Sequence, residues 1–221
     1  GIKYAADKGC KIINCSWNIK AYSRFGEEMV DYATIKGALV VAATGNQGKE
    51  DNNYPAHYKN ALAVTKTDLN DNRVSNSNIG YYADISAPGL NVVSTTPING
   101  YKRNSGTSYS SALVSGAAAL LVSYAPSLSP QELKYRLKAG SESLYRNGKN
   151  SFYKNKLGVG RLNIYKAMAF TNAWLELDSI AFSDIEGGAI EQADTVEVSA
   201  WIANYLNNEN GVRVTLRDLS N

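Results

Sequence analysis

The 221-residue sequence predicts an α/β fold in which helices flank a parallel sheet, followed by a separate β-rich tail. Three observations predict it. Short apolar, β-branched runs alternate with stretches of helical spacing, the pattern of βαβ units joined by right-handed crossovers. The long segment Ser110–Tyr124 is rich in Ala and Leu, as a buried helix is. The charge changes sign near Thr171: residues 1–170 hold 21 Lys and Arg against 11 Asp and Glu, and residues 171–221 hold 2 against 9. That change divides the chain into units 1–170 and 171–221.

Taken in order, Ile2–Lys8 has the pattern of a helix end and Lys11–Ser16 that of a strand. Phe25, Met29, Tyr32 and Ile35 fall at helical spacing and predict a helix over Arg24–Lys36. Ala38–Ala43 is apolar throughout, as in a parallel strand covered on both faces. Ala61–Val64, Ala83–Ile85 and Asn91–Ser94 are further strand candidates. Ser129-Pro130-Gln131-Glu132 is a capping box with proline at the first helical position, opening a helix to about Lys138. A short helix follows Asn163. Beyond Thr171, Trp174–Ile180, Val196–Ile202 and Val212–Leu216 read as strands, and residues 207–211 as a turn.

Composition narrows the function classes. A hydrophobic content of 44% is enough for a core. No apolar run approaches the ~20 residues of a transmembrane helix. The basic excess is scattered and not interleaved with aromatics, which argues for a solvated surface and no nucleic-acid partner. Cys10 and Cys15 bracket one strand; ~16 Å of extended chain keeps them from pairing, and both are expected to be small buried side chains.

Two segments carry chemistry. Gly106-Thr107-Ser108 puts a hydroxyl where a glycine turn becomes a helix of small and apolar residues. The positive end of the helix dipole favours developing negative charge there, and a helix apolar all round is buried and rigid. Ser108 is therefore a candidate nucleophile; the alternative is a serine that merely caps the helix. Ala38–Ala43 ends in Thr44-Gly45-Asn46-Gln47-Gly48. Functional groups in open α/β sheets gather at the carboxyl ends of strands, and a carboxamide there donates to an oxyanion. The alternative for Asn46 is a loop residue that tolerates a left-handed turn.

Together these segments resemble the subtilisin-like serine proteases. Gly106-Thr107-Ser108 is similar to that family's nucleophile motif, and Ala43-Thr44-Gly45-Asn46 to the strand end bearing its oxyanion asparagine. Further matches follow in order over residues 1–170. They are the substrate-lining strand Lys11–Ser16, the Tyr54-Pro55-Ala56 loop, the turn Ala87-Pro88-Gly89, and the closing motif Gly158-Val159-Gly160-Arg161-Leu162-Asn163. The resemblance implies a subtilisin-like sheet, a serine endopeptidase and a polypeptide substrate. The tail resembles the start of an immunoglobulin-like accessory domain, whose partner the sequence does not name.

The family's triad also needs an aspartate and a histidine. The one histidine, His57, lies in the Tyr-Pro-Ala loop, where it reads as a solvated loop residue. The resemblance places both missing groups upstream of Gly1, so the 221 residues read as the C-terminal part of a longer enzyme, almost inactive alone. A non-catalytic binding or adhesion protein on the same scaffold is the alternative. An acid-acting sedolisin is disfavoured, because that family has an aspartate where this chain has Asn46. The resemblance further implies that Ser16, Trp17, Asn18, Gln47 and Asn53 line the substrate cleft. Asn18 stands where the family has glycine and crowds it; Gln47 and Asn53 make the pocket polar and neutral. Tyr109 and Ala112 depart from the family's Met and Pro after the nucleophile. No cofactor is required. A weakly bound calcium or other cation is implied on the carbonyls of Ala56, Tyr58 and Ala61. Secretion or export is implied as well.

Overall fold

Strands β1 (Ile12–Cys15), β2 (Leu39–Ala43), β3 (Ala61–Thr67) and β4 (Ile85–Pro88) form one sheet in that order, with every neighbouring pair parallel. The computed structural model describes residues 1–170 and, beyond them, the backbone of strands β7 (Leu175–Asp184) and β8 (Val196–Asn204). The helices are α1 (Ile2–Asp7), α2 (Arg24–Ile35), α3 (Thr107–Tyr124), α4 (Pro130–Ala139) and α5 (Ile164–Ala169). β5 (Val92–Thr96) and β6 (Gly100–Asn104) form an antiparallel ribbon just before α3.

The sheet is covered on both faces, which is why its strands are apolar runs and not alternating ones. Side chains in a strand alternate between faces. Val40, Ala42, Ala61 and Ala63 therefore meet Ala6 of α1 and Val30 and Ala33 of α2, together with Tyr54 and Tyr58. Leu39, Val41, Leu62, Val64 and Ile85 point the other way, onto Val114, Ala118 and Leu121 of α3 and Leu133 and Leu137 of α4. Fully burying each Leu, Ile or Val contributes roughly 1.5–3 kcal/mol.

Local sequence fixes the helix starts. Ser23 Oγ accepts from Gly26 N at 3.1 Å to begin α2. The capping box closes α4, with Glu132 N on Ser129 Oγ at 3.3 Å and Ser129 N on Glu132 Oε2 at 2.7 Å. Asn163 Oδ1 accepts from Lys166 N at 3.1 Å to begin α5. Gly158, in the closing motif, has a φ of +75°, and any Cβ there would collide with the Asp84 backbone.

Several expectations need correction. α3 begins at Thr107, three residues before the predicted start, so Ser108 lies in its first turn. It is not buried all round: Val114, Ala118 and Leu121 face the sheet, while Ala112, Leu113, Gly116, Ala119 and Leu120 are exposed. One sheet supports one side of a helix, and no described residue covers the other. β4 runs Ile85–Pro88, not Ala83–Ile85. β6 was not predicted, because Gly100–Asn104 is polar and Gly-led. Cys15 is buried, and burial pushes its thiol up to about 11, but Cys10 is exposed.

The chain divides into compact units Gly1–Phe170 and Thr171–Asn221. In the second, β7 pairs antiparallel with β8. The predicted strand at residues 212–216 and the turn at 207–211 lie outside the described residues. Among the described residues no helix is long and apolar enough to cross a membrane.

Candidate active site

β2 ends at Ala43, and the chain turns over Gly45 into Asn46. Gly45 has a φ of +107°, and a Cβ there would lie 2.6 Å from Asn78 Nδ2, 2.8 Å from Asn18 Nδ2 and 2.8 Å from Gln47 Oε1. Only glycine satisfies both the left-handed backbone and the space. Asn78, itself buried, holds this loop. Its Oδ1 accepts from Gln47 N at 2.9 Å and Lys49 N at 3.1 Å, and its Nδ2 donates to Thr44 O at 3.0 Å and Gln47 Oε1 at 2.8 Å.

The loop is tied to the start of α3. Gly45 N donates to Thr107 Oγ1 at 3.1 Å, and Thr107 N donates to Asn46 Oδ1 at 2.9 Å. The N-cap residue Gly106 offers no side chain, so the Asn46 carboxamide supplies the cap from across the fold. With Oδ1 engaged, Nδ2 has no partner among the described residues, and Asn46 is exposed next to the first turn that carries Ser108. An unpaired donor at the N-terminus of a helix whose first turn carries a hydroxyl is an arrangement able to receive an oxyanion.

Ser108 is half-buried. Its Oγ donates to Ser16 O at 3.0 Å, and Ser16 Oγ donates back to Ser108 O at 3.0 Å. Ser111 Oγ also donates to Ser108 O at 3.0 Å, and Asn14 Nδ2 donates to Ser16 Oγ at 2.8 Å. β1 is thereby fastened to the first turn of α3. Among the described residues no general base touches Ser108 Oγ. His57 is only partly solvated: it packs between Tyr54 and Tyr82, its Nδ1 is buried without a partner, and burial lowers its pKa.

The remaining expected cleft residues divide into groups. Asn18 and Gln47 converge over Gly45 with Asn78. Asn53 does not join them; it is 0% exposed, with Nδ2 donating to Asp51 O at 2.8 Å and Oδ1 unpaired. Trp17 is 50% exposed and lines a cleft of about 590 Å³ with Ile19, Phe25, Tyr54 and Tyr58. That cleft includes neither Ser108 nor Asn46.

Of the carbonyls of Ala56, Tyr58 and Ala61, expected to hold a cation, the last two already accept hydrogen bonds. Ala61 O accepts from Lys134 Nζ at 2.7 Å, Lys59 O accepts from the same ammonium at 3.2 Å, and Tyr58 O accepts from Ala61 N at 3.0 Å. Lys134 also pairs with Asp84 at 3.1 Å, as does Lys138 at 3.3 Å. A fixed ammonium already brings positive charge to the carbonyl a metal ion would need. Among the described residues no group of three His, Cys, Asp or Glu side chains is placed to bind a metal.

Sequence reasoning missed Lys66. It reaches Asn46 Oδ1 with its Nζ at 2.9 Å from inside the core. It also missed Asn78 and Lys134. Only the position of Lys66 in β3, two residues past Val64 on the same face, signalled an inward side chain.

The subtilase family model matches residues 1–160. The chain is 39% identical over 170 residues to thermitase of Thermoactinomyces vulgaris, covering 77% of this chain and 58% of that protein. It is 42% identical over 153 residues to subtilisin BL of Lederbergia lenta, covering 67% and 57%. It therefore spans somewhat over half the length of these relatives. The fold is similar to the prenylagaramide maturation protease PagA, with a TM-score of 0.70 at 31% identity, covering 76% of this chain and 64% of that one.

Proposed function

Because the chain belongs to the subtilase family, we propose that the protein is a serine endopeptidase in which Ser108 is the nucleophile and Asn46 an oxyanion donor. One observation supports this reading most directly. The carboxamide of Asn46 is fixed by its oxygen to the first turn of the helix that carries Ser108, at 2.9 Å, which leaves its N–H without a partner among the described residues. Ser108 Oγ attacks the scissile carbonyl and its proton passes to a histidine outside these 221 residues. The carbonyl electrons move to oxygen, and that oxyanion accepts from Asn46 Nδ2 and from the first-turn N–H of Ser108, which has no intrahelical acceptor. Collapse expels the amine, which takes the histidine's proton, and water then hydrolyses the acyl-serine. No metal or cofactor enters these steps.

Relatives named as proteases favour this reading over a non-catalytic scaffold. The substrate is a polypeptide. Asn18 and Gln47, both neutral, support broad selection over selection for charged side chains. Export from the cell fits the family, and we read residues 171–221 as the start of an immunoglobulin-like domain on the strength of the β7–β8 pair.

The test is a fluorophosphonate probe and a casein assay on the full-length protein near neutral pH. Ser108 is labelled, and Ser108→Ala abolishes labelling and lowers turnover by roughly a million-fold, the magnitude known from subtilisin. Asn46→Ala lowers kcat about 100- to 1000-fold with KM little changed, again on the subtilisin scale. Labelling only at other residues, or maximal activity at strongly acid pH, overturns the assignment.

A further inference from the structure

A lysine lies inside the core beneath the nucleophile helix. Lys66 is 0% exposed. It is on the face of β3 that carries Leu62 and Val64 and that packs under α3. Its backbone N–H donates to Ser77 Oγ at 3.1 Å, and in the sheet it pairs with Ala87. A Cβ on Gly89 would sit 2.5 Å from Lys66 Cβ and would collide with Ser110 Oγ, so this lysine stem occupies space that glycine vacates. Its Nζ makes one hydrogen bond, 2.9 Å to Asn46 Oδ1, and no carboxylate pairs with it among the described residues.

An unpaired ammonium in a core is costly to the fold. Burial lowers its pKa, and the adjacent positive end of α3 opposes the charge further. Shape alone would favour an apolar side chain at this position. Resting on the peptidase reading above, we infer that Lys66 is a positioning residue of the oxyanion site, whose ammonium holds Asn46 by Oδ1 and places positive charge behind the Nδ2–H that meets the oxyanion.

The physics favours the transition state over the ground state. A cation on the carboxamide oxygen draws electron density from the amide and makes Nδ2–H a stronger donor. Its potential acts on a full negative charge in the tetrahedral intermediate and only on a dipole in the bound substrate. The effect therefore belongs in kcat and not in KM. No proton moves in this step, because Lys66 acts as the ammonium and not as an acid or base. The other groups facing the lysine are the Ser77 and Ser110 hydroxyls, the Gly89 and Gly106 backbone and Ala87, none of which titrates in the working range. Loss of the Lys66 proton at alkaline pH removes the charge, and turnover falls with it.

Lys66→Met in the full-length protein tests this, since Met fills similar volume without charge. The expected result is a kcat about 10- to 100-fold lower, less than for loss of a direct donor. KM stays within about twofold, the alkaline fall in kcat disappears, and Tm is unchanged or higher because an unpaired buried charge is gone. In 15N spectra the Asn46 side-chain amide titrates at alkaline pH in the natural protein and not in Lys66→Met. A folded Lys66→Met with unaltered kcat and pH profile overturns the inference, as does an Asn46 amide that ignores pH in the natural protein. The spectrum needs no turnover. An Asn46 amide that titrates in a protein that cleaves no peptide supports the Lys66–Asn46 coupling and defeats only the peptidase reading.

Discussion

Asn78 shows how much of the site rests on single buried carboxamides. Its side chain satisfies two backbone N–H groups and spends both of its own donors, and its backbone N–H holds Gly45 O at 2.9 Å. Asn78→Ala removes the partner of the buried Thr44 carbonyl and of the part-buried Gln47 and Lys49 N–H groups. We expect a loss of about 3 kcal/mol by denaturant titration, together with a lower kcat, because the loop that aims Asn46 loosens. A midpoint within experimental error of the natural protein contradicts this. At Lys66, stability and turnover run in opposite directions. Between its lowered folded pKa and the ordinary value of 10.5 the unfolded chain binds more protons, so stability rises with pH through that window. Ser108 and Asn46 stand out in the sequence as candidates because local context marks them, one at a helix start and one after a strand. Asn78 and Lys66 do not, because their partners arrive from other elements through tertiary contacts. The even spacing Leu62, Val64, Lys66 was the one available clue, and it required taking a charged residue as core.

At the element scale, self-contained segments read best. The spacing of Phe25, Met29, Tyr32 and Ile35 located α2, although its buried face is Val30 and Ala33 while Phe25 and Ile35 are exposed, and Ser129 to Glu132 located α4 by its cap. α3 was placed three residues late because its cap comes from Asn46, 61 positions away, and no local residue announces it. The β5–β6 ribbon was half missed, since β6 has no alternating apolar face to detect. α4 also contributes chemistry outward: Lys134 brings its ammonium to the carbonyls at the start of β3 and to Asp84 just before β4. That ammonium competes with any cation for the Ala61 carbonyl. The natural protein should therefore keep its Tm in the presence of either a chelator or millimolar calcium. Lys134→Ala removes the ammonium from the part-buried Ala61 carbonyl and from Asp84, which keeps the Ala63 N–H, costs about 1–3 kcal/mol, and acquires a calcium-dependent rise in Tm. Equal calcium responses in both proteins would show that lysine and metal do not compete for this place.

For the whole molecule, the question is whether residues 1–170 carry their own folding information. Both apolar layers, one against α1 and α2 and one against α3, α4 and α5, are built from side chains within this range. The carboxamide network, the Ser16–Ser108 pair and the Lys134–Asp84–Lys138 cluster also close within it. These contacts close without a described side chain of residues 171–221, so the tail is not expected to supply the core of 1–170. The charge division points the same way, since removing residues 171–221 raises the net charge from +3 to +10 without touching a described core residue. The exposed face of α3 at Leu113 and Leu120 is common to both lengths, so a side-by-side comparison of 1–170 and 1–221 isolates the tail. We expect the same far-ultraviolet helix signal from the α/β unit, the same Tm to within about 2 °C, and stronger retention of the shorter chain on a cation exchanger. A shorter chain that loses its cooperative transition would place part of the core of 1–170 in the tail, and the boundary at Thr171 would have to move.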